Sequence, residues 1–374
     1  MTEVNNVRKK KIYFINLKSG MLYAVLIALI ILMLLNAKDS IEAVKGSLII
    51  CYQTLIPSLF PFFVLSGLLI NSGFVQILGS VLTPVIRPLF RVSGSGAIVF
   101  LIGIISGYPM GAKMVAELYK KRIITKTEGK RLLPFCNNSG PLFVIAAVGT
   151  GMIGDVKFGI FLYCIHIISA LLVGLIFRFY KVKNEDALNV SYREKNNNIF
   201  FGKIFTECVS NSVNSVLLIC GFVALFSSFS QCIKPIIESL VKNEYISLFI
   251  NGLLEVTMGV NRVAQSNLEL AQGLVLISFL IGFGGLCVHL QVLGIVSDTD
   301  LGIKTYLSGK LMHGIISAII TYISLKFISL DTVMVWNQEN AVSKEINSCW
   351  SFVWVAIMIF VLIFNVRKKK VKRI

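Results

Sequence analysis

The residues of this chain that could act on another molecule stand where apolar sequence is interrupted. Ser106-Gly107-Tyr108-Pro109-Met110-Gly111 breaks one segment, with Lys113 just behind it, and Asn137-Asn138-Ser139-Gly140-Pro141 breaks the next. In the second half the breaks are Thr257-Met258-Gly259-Val260-Asn261-Arg262 and Gly282-Phe283-Gly284-Gly285. Glu255 stands ahead of the first of these, and His289 and Gln291 stand behind the second. Pro lacks an N–H and clashes with the preceding turn, and Gly gives up helix stability, so a helix stops at such places. The stop leaves free backbone N–H groups and the positive end of a helix dipole, which suits an anionic group. The hydroxyls, amides and phenol nearby add donors and acceptors. This is the chemistry of holding a solute rather than of making or breaking bonds.

The candidate solute-binding set is therefore Ser106, Gly107, Tyr108, Gly111, Lys113, Asn137, Asn138, Ser139, Gly140, Glu255, Gly259, Asn261, Arg262, Gly284, Gly285, His289 and Gln291. Each has a plainer reading. The polar residues at the breaks could cap helices and satisfy one another. Lys113 and Arg262 either neutralise a substrate carboxylate, as intramembrane cations often do, or snorkel to the two interfaces. Glu255 either couples transport to H⁺ or Na⁺ or pairs with Arg262 or Lys113. His166, on an apolar helix, reads as a core histidine, and Asp298 and Asp300 read as caps of the element that follows. Catalysis finds no support in the motifs: Gly-x-Ser-x-Gly, a Walker lysine loop, His-Glu-x-x-His and metal-spaced His/Cys clusters are all missing. No cofactor or metal is expected, and an ATP-driven step would need another subunit.

The elements that must position these residues are membrane helices. Apolar residues make up 55% of the chain and mean hydropathy is +0.79, above the roughly 45–50% apolar share of soluble domains. Apolar runs of spanning length recur, with room for roughly eight to ten. The net charge of +17 comes from short loops and the termini, so it reads as a topology signal and not as a nucleic-acid footprint. Lipids and a small anionic substrate are the expected partners, and association into homo-oligomers is left open. The eight cysteines form no C-x-x-C pair and read as small buried hydrophobes.

Charge patterning predicts one topology. Residues 1–45 hold a basic tail and a first helix, Met21–Asn36, with Lys38–Lys45 as an outer loop. Residues 46–180 form a first repeat, with a re-entrant hairpin over about 94–124 and a broken helix over about 132–152. Residues 181–203 are a basic cytoplasmic linker. Residues 204–330 repeat the plan, with a hairpin over about 246–271 and a broken helix over about 273–296. Residues 331–374 carry a last helix, Cys349–Val366, and a basic tail. The first hairpin's ends are rich in Lys and Arg and the second's are poor, so the repeats are expected to be inverted and both termini cytoplasmic. The fold class is all-α: a polytopic helical membrane protein with two inverted repeats.

LFPFFVLSGLLI (59–70), RPLFRVSGSG (87–96), SGYPMGAK (106–113) and FCNNSGPLF (135–143) resemble a family of sporulation integral membrane proteins. SFLIGFGGL (278–286) and DTDLGIKTYLSGKLMH (298–313) extend the likeness to about residues 20–330. The family falls in the nucleoside-recognition "gate" group, similar to concentrative nucleoside transporters. The resemblance implies transport of dipicolinic acid from the mother cell across the outer forespore membrane of an endospore former. A nucleoside or nucleobase carrier is the alternative of the same class. A membrane assembly protein that transports nothing is the alternative of another class.

Overall fold

The computed structural model describes residues 17–71, 81, 83–84, 86–181 and 201–327. Among the described residues the regular elements are helices, with no strand. The first half runs α1 (Leu17–Leu35), α2 (Ala37–Ile50), a π-helical turn (Cys51–Leu55), α3 (Ile56–Asn71), α4 (Gly94–Ser106), α5 (Met110–Lys120), α6 (Lys126–Cys136), a π-helix (Leu142–Ile153) and α7 (Val156–Phe177). The second half runs α8 (Phe201–Leu240), α9 (Glu244–Leu254), α10 (Val256–Ala264), α11 (Leu270–Phe283), α12 (Gly285–Val296) and α13 (Lys304–Phe327). The chain is a polytopic helical membrane protein. Its contacts divide it after Ile323, and of the part beyond only the end of α13 is described.

Four stretches among the described residues are long and apolar enough to cross a membrane: Val156–Phe177, Phe201–Leu240, Leu270–Val296 taken through its break, and Lys304–Phe327. Tyr23–Leu35 and Ala37–Gln53, bent by 94°, make a fifth if the pair counts as one. This is fewer than the sequence leads one to expect. Gly94–Ser106, Leu142–Ile153 and Glu244–Leu254 are apolar but short, and the last helix, Cys349–Val366, lies outside the described residues, as does most of the 181–203 linker. Lys38–Lys45, expected as an outer loop, is instead helical within α2, which packs on α8 through a Ser40–Ser228 hydrogen bond of 2.5 Å.

From α3 on, the two halves repeat one order of elements: a long helix, two short helices joined at a break, a broken helix, and a closing helix. The short helices of each pair fold back on one another through glycines. α4 and α5 meet where Gly103 and Gly111 both press on the Cys136 carbonyl, which a side chain on either would overlap. In the second half Gly259 packs directly on Gly252, joining α9 to α10. Close backbone approach of this kind takes the place of a hydrophobic driving force between membrane helices.

The breaks fall close to the predicted places, with one shift. The first is at Gly107–Pro109, where Gly107 takes φ of +76°, and the second at Asn137–Gly140. The fourth is at Gly284, with φ of +92°. The third, expected over Thr257–Arg262, lies at Glu255 instead, and Val256–Ala264 is helical. The cause is local. Glu255 turns its carboxylate onto the N–H groups of Thr257 and Met258, at 2.9 and 2.6 Å, which starts a helix there. Gly259 then serves packing rather than unwinding.

After the second break the chain winds as a π-helix, which the sequence did not suggest. Thr150 Oγ1 reaches the carbonyl of Ile145, five residues back. A Cβ on Gly149 would stand 2.5 Å from Gly159 Cα, so the π-helix lies tight on α7.

Candidate functional site

The four breaks meet. A cavity of about 30 Å³ is lined by Gly107 and Tyr108 from the first break, Gly140 from the second and Glu255 from the third. Thr257 adds a hydroxyl, and Cys287 and Gln291, from the turns of α12 that follow the fourth break, complete its polar side, with Val288 beside them as an apolar neighbour. Leu55, Leu59, Phe143, Ile219, Val223 and Val256 make its walls apolar. The meeting is built from backbone. A Cβ on Gly107 would stand 2.8 Å from Gly140 N, and one on Gly285 would stand 3.3 Å from both Gly252 O and Val256 N. The first break thus rests on the second, and the fourth on the third.

Four half-helices start at these breaks: α5 at Met110, the π-helix at Leu142, α10 at Val256 and α12 at Gly285. Each brings a positive dipole end of roughly half a charge. Glu255 occupies one of them as its cap, and it is the sole carboxylate among the buried described residues. Tyr108 Oη and Gln291 Oε1 make no hydrogen bond, so two of the groups at the cavity have capacity to spare.

Of the predicted set, Gly107, Tyr108, Gly140, Glu255 and Gln291 line the cavity. Gly111, Gly259 and Gly285 act as close-approach residues, and Ser106 ends α4 in buried packing. Lys113 is half-buried on α5 and does not line the cavity. Arg262 neither pairs with Glu255 nor reaches the cavity. Its guanidinium donates to Asn251 Oδ1 (3.0 Å), Gln231 Oε1 (3.1 Å) and Ser230 Oγ (3.3 Å), which ties α10 to α8 and α9. Asn261 accepts from Gln265 on the same turn. Both residues follow from the shift of the third break to Glu255.

Asn137, Asn138, Ser139 and His289 are buried behind the cavity in a second polar cluster, together with residues that sequence reasoning passed over. Lys310 Nζ donates to Asn137 O at 3.1 Å and stands 3.1 Å from His313 Nδ1. His313 Nε2 donates to His166 O at 3.0 Å, and His166 Nε2 accepts from Ser139 N at 3.0 Å. Asn137 Nδ2 donates to Tyr306 Oη at 3.3 Å, and that oxygen lies 3.2 Å from His289 Nδ1. Gly284 borders the same cluster, since a Cβ there would stand 4.0 Å from Lys310 Cε. Asn138 Nδ2 holds Phe135 O at 2.7 Å, as a cap would. His166, read from sequence as a core histidine, is buried as expected, yet only one of its ring nitrogens is paired. The signal that would have found Lys310 is its place in the series Tyr306, Lys310, His313, Ser317 and Thr321. That spacing puts five polar side chains on one face of an otherwise apolar helix.

Asp298 and Asp300 do not cap the next element; Thr299 serves the local turn through Val296 O and Leu301 N. The two aspartates reach across to the α5–α6 connection. Lys120 meets Asp298 at 3.2 Å, and Asp300 accepts from both Lys126 and Tyr119. The hydrogen bond from Lys126, then that from Tyr119, hold the Asp300 carboxyl below the usual carboxylate range.

Comparison with known proteins agrees with this architecture. Residues 53–156, which contain the first two breaks, match the Gate family, described as nucleoside recognition. The sporulation integral membrane protein YlbJ of Bacillus subtilis (strain 168) is 34% identical, over 76% of this chain and 77% of that protein. No solved structure matches significantly. With four chain breaks gathered at one cavity and that degree of identity over most of both chains, this chain belongs to the YlbJ family of sporulation integral membrane proteins.

Proposed function

We propose that the chain is a membrane carrier for dipicolinate, moving it from the mother cell across the outer forespore membrane. In this reading two inverted repeats each supply a re-entrant hairpin and a broken helix. The observation that carries it is the convergence of four half-helix N-termini on one apolar-walled cavity, only one of them neutralised by a protein carboxylate. Such ends attract an anion, and the walls suit a planar ring. The breaks are the discontinuous elements that place a transporter's site between its repeats. In this reading the backbone N–H groups and Tyr108 hydrogen-bond the carboxylates, since neither Lys113 nor Arg262 lines the cavity.

The cavity holds only about two water molecules at about 30 Å³, so a pyridine ring enters once the paired breaks separate. That is how a carrier closed around its site behaves. The Lys120–Asp298 contact puts the base of the first hairpin on the same side as the α12–α13 turn. Because Leu270–Val296 is long enough to span, Asn267 then falls on the opposite side, which supports inversion and a cytoplasmic Lys120.

The test is dipicolinate flux in vesicles containing only this protein, where no flux above empty vesicles would refute the assignment. A nucleoside-type substrate is the second reading. It is favoured by the lack of Lys or Arg among the lining residues and by the hydrogen-bonding edges of Glu255 and Gln291. Uptake of labelled nucleosides by the same vesicles separates the two.

A further inference from the structure

The polar face of α13 is a feature that solute binding does not use. Tyr306, Lys310, His313, Ser317 and Thr321 are all buried, at 1% exposure or less. Fifteen residues of helix separate the first from the last, about 22 Å at 1.5 Å per residue, against a hydrocarbon core of about 30 Å. Ionisable side chains at such depth are costly and mark ion or proton paths.

The face is packed on every side. Gly309 lies on Pro134 of α6, Gly314 on Gly282 of α11, His313 on His166 of α7, and Tyr306 on His289 of α12. The buried titratable groups of these elements are Arg131 and Cys136 on α6, His166 on α7, and Cys287 and His289 on α12, with Arg131 tied to Arg91 O and Tyr180 O; α11 has none. Among the described residues no carboxylate pairs with Lys310, and Glu255 is committed to the cap of α10. All three histidines of the chain belong to this cluster.

The hydrogen bonds fix the tautomers. His313 donates from Nε2 to a carbonyl, so Nδ1 is the acceptor for Lys310. His166 accepts at Nε2 from Ser139 N, so its proton is on Nδ1, which is buried without a partner. Ser169, one turn along α7, and Ser317, one turn along α13, also carry unpaired hydroxyls. The rings of His166 and His313 stand 4.4 Å apart, between the Lys310 end and these hydroxyls.

We propose that Lys310, His313 and His166 form a proton-binding site whose protonation resets the second break and through it the solute cavity. The link is covalent and short. His166 holds Ser139 N and Lys310 holds Asn137 O, while Gly140, the next residue, lines the cavity. A proton taken up at His166 Nε2 consumes the lone pair that accepts Ser139 N–H, so that bond is lost and the break is released. Return of the proton to water restores it. By reciprocity, a solute that prefers one arrangement of the break shifts proton binding by the same factor. The coupling ion is thus H⁺, at a site apart from Glu255. This inference rests on the cavity being the solute site.

With only three histidines, ¹⁵N-histidine NMR of the full chain in micelles can be assigned using His166→Gln, His289→Gln and His313→Gln. Over the pH range in which the chain stays folded, His166 or His313 should change protonation state, and Lys310→Arg or Lys310→Gln should move that midpoint. Adding dipicolinate should move it also, and dipicolinate exchange in vesicles should follow the same pH profile in wild type but not in the Lys310 variants. Imidazoles that keep one tautomer over the whole range overturn the proposal. So does a wild-type pH profile retained by folded Lys310→Arg and His313→Gln. Titrating imidazoles in a protein that carries no dipicolinate would uphold the proton site and remove the substrate assignment instead.

Discussion

Gly103→Ala tests the packing on which the site depends. The new methyl would overlap the carbonyl oxygen of Cys136, lie 2.9 Å from its carbon and reach 3.5 Å from Gly111 Cα. All of these are backbone atoms, so no side chain can turn away to make room. Overpacking of this kind costs about 1–3 kcal/mol. The helix-propensity gain of Gly→Ala, up to about 1 kcal/mol, opposes it. Gly221→Ala isolates the second effect, because Gly221 is exposed inside α8 and a Cβ there meets nothing within 4 Å. Thermal unfolding in one detergent should therefore show Gly103→Ala below wild type and Gly221→Ala at or above it. Flux should fall in the first variant alone, since spreading α4 and α5 from Cys136 also parts Gly107 from Gly140. If Gly103→Ala unfolds at or above wild type while Gly221→Ala behaves as stated, the close backbone contact does not hold the first hairpin on the second break.

Three further outcomes follow from the geometry. Cysteines placed at Lys120 and Asp298 should react with an impermeant reagent from one side of the membrane and a cysteine at Asn267 from the other; reaction of all three from one side would rule out inverted repeats. Tyr108→Phe should weaken dipicolinate binding by about 1.5–3 kcal/mol, the usual worth of a hydrogen bond to a charged group, read as a rise in KM; an unchanged KM would take the phenol out of the site. The Asp300 carboxyl sits lower folded than unfolded, so its contribution is fully present above the ordinary carboxylate range and is lost as pH falls through the folded value. Spin labels at Lys121 and Ser297 should move apart over that acid range, and Asp300→Asn should abolish the pH dependence; a distance that does not change with pH in wild type would contradict this.

The membrane character and three of the breaks were legible because Pro and Gly stop a helix whatever surrounds them. The break at Glu255 was hidden, since glutamate is a good helix former and the neighbouring Gly259 looked like the breaker. Only the turn of its carboxylate onto the N–H groups two and three residues ahead makes Glu255 a cap, a local choice that the residue type does not announce. Lys310 was missed for a different reason. Reading by interruptions looks for places where helices fail, and α13 does not fail; its signal was periodic. The Asp298 and Asp300 contacts join residues more than 170 positions apart, beyond the reach of any local pattern.

The same backbone device holds both halves of the site, and this limits how the cavity can open. In the first half Gly107 rests on Gly140, and in the second Gly285 rests on Gly252 and Val256. A Cβ on Gly107 would force its neighbour aside, and one on Gly285 would be tight at 3.3 Å on a backbone with φ of +71°, so each pair stays closed or parts as a unit. Interfaces packed this closely tend to switch between arrangements rather than deform gradually. The second break is held from behind by ionisable side chains of other helices, at Asn137 O and Ser139 N, whereas Glu255 caps the third from within its own turn. Opening on that side therefore has to break hydrogen bonds whose strength depends on protonation, while opening at Gly285 does not. A carrier with inverted repeats and one such lock would answer to protons on one face only, an asymmetry that its symmetric order of elements does not supply.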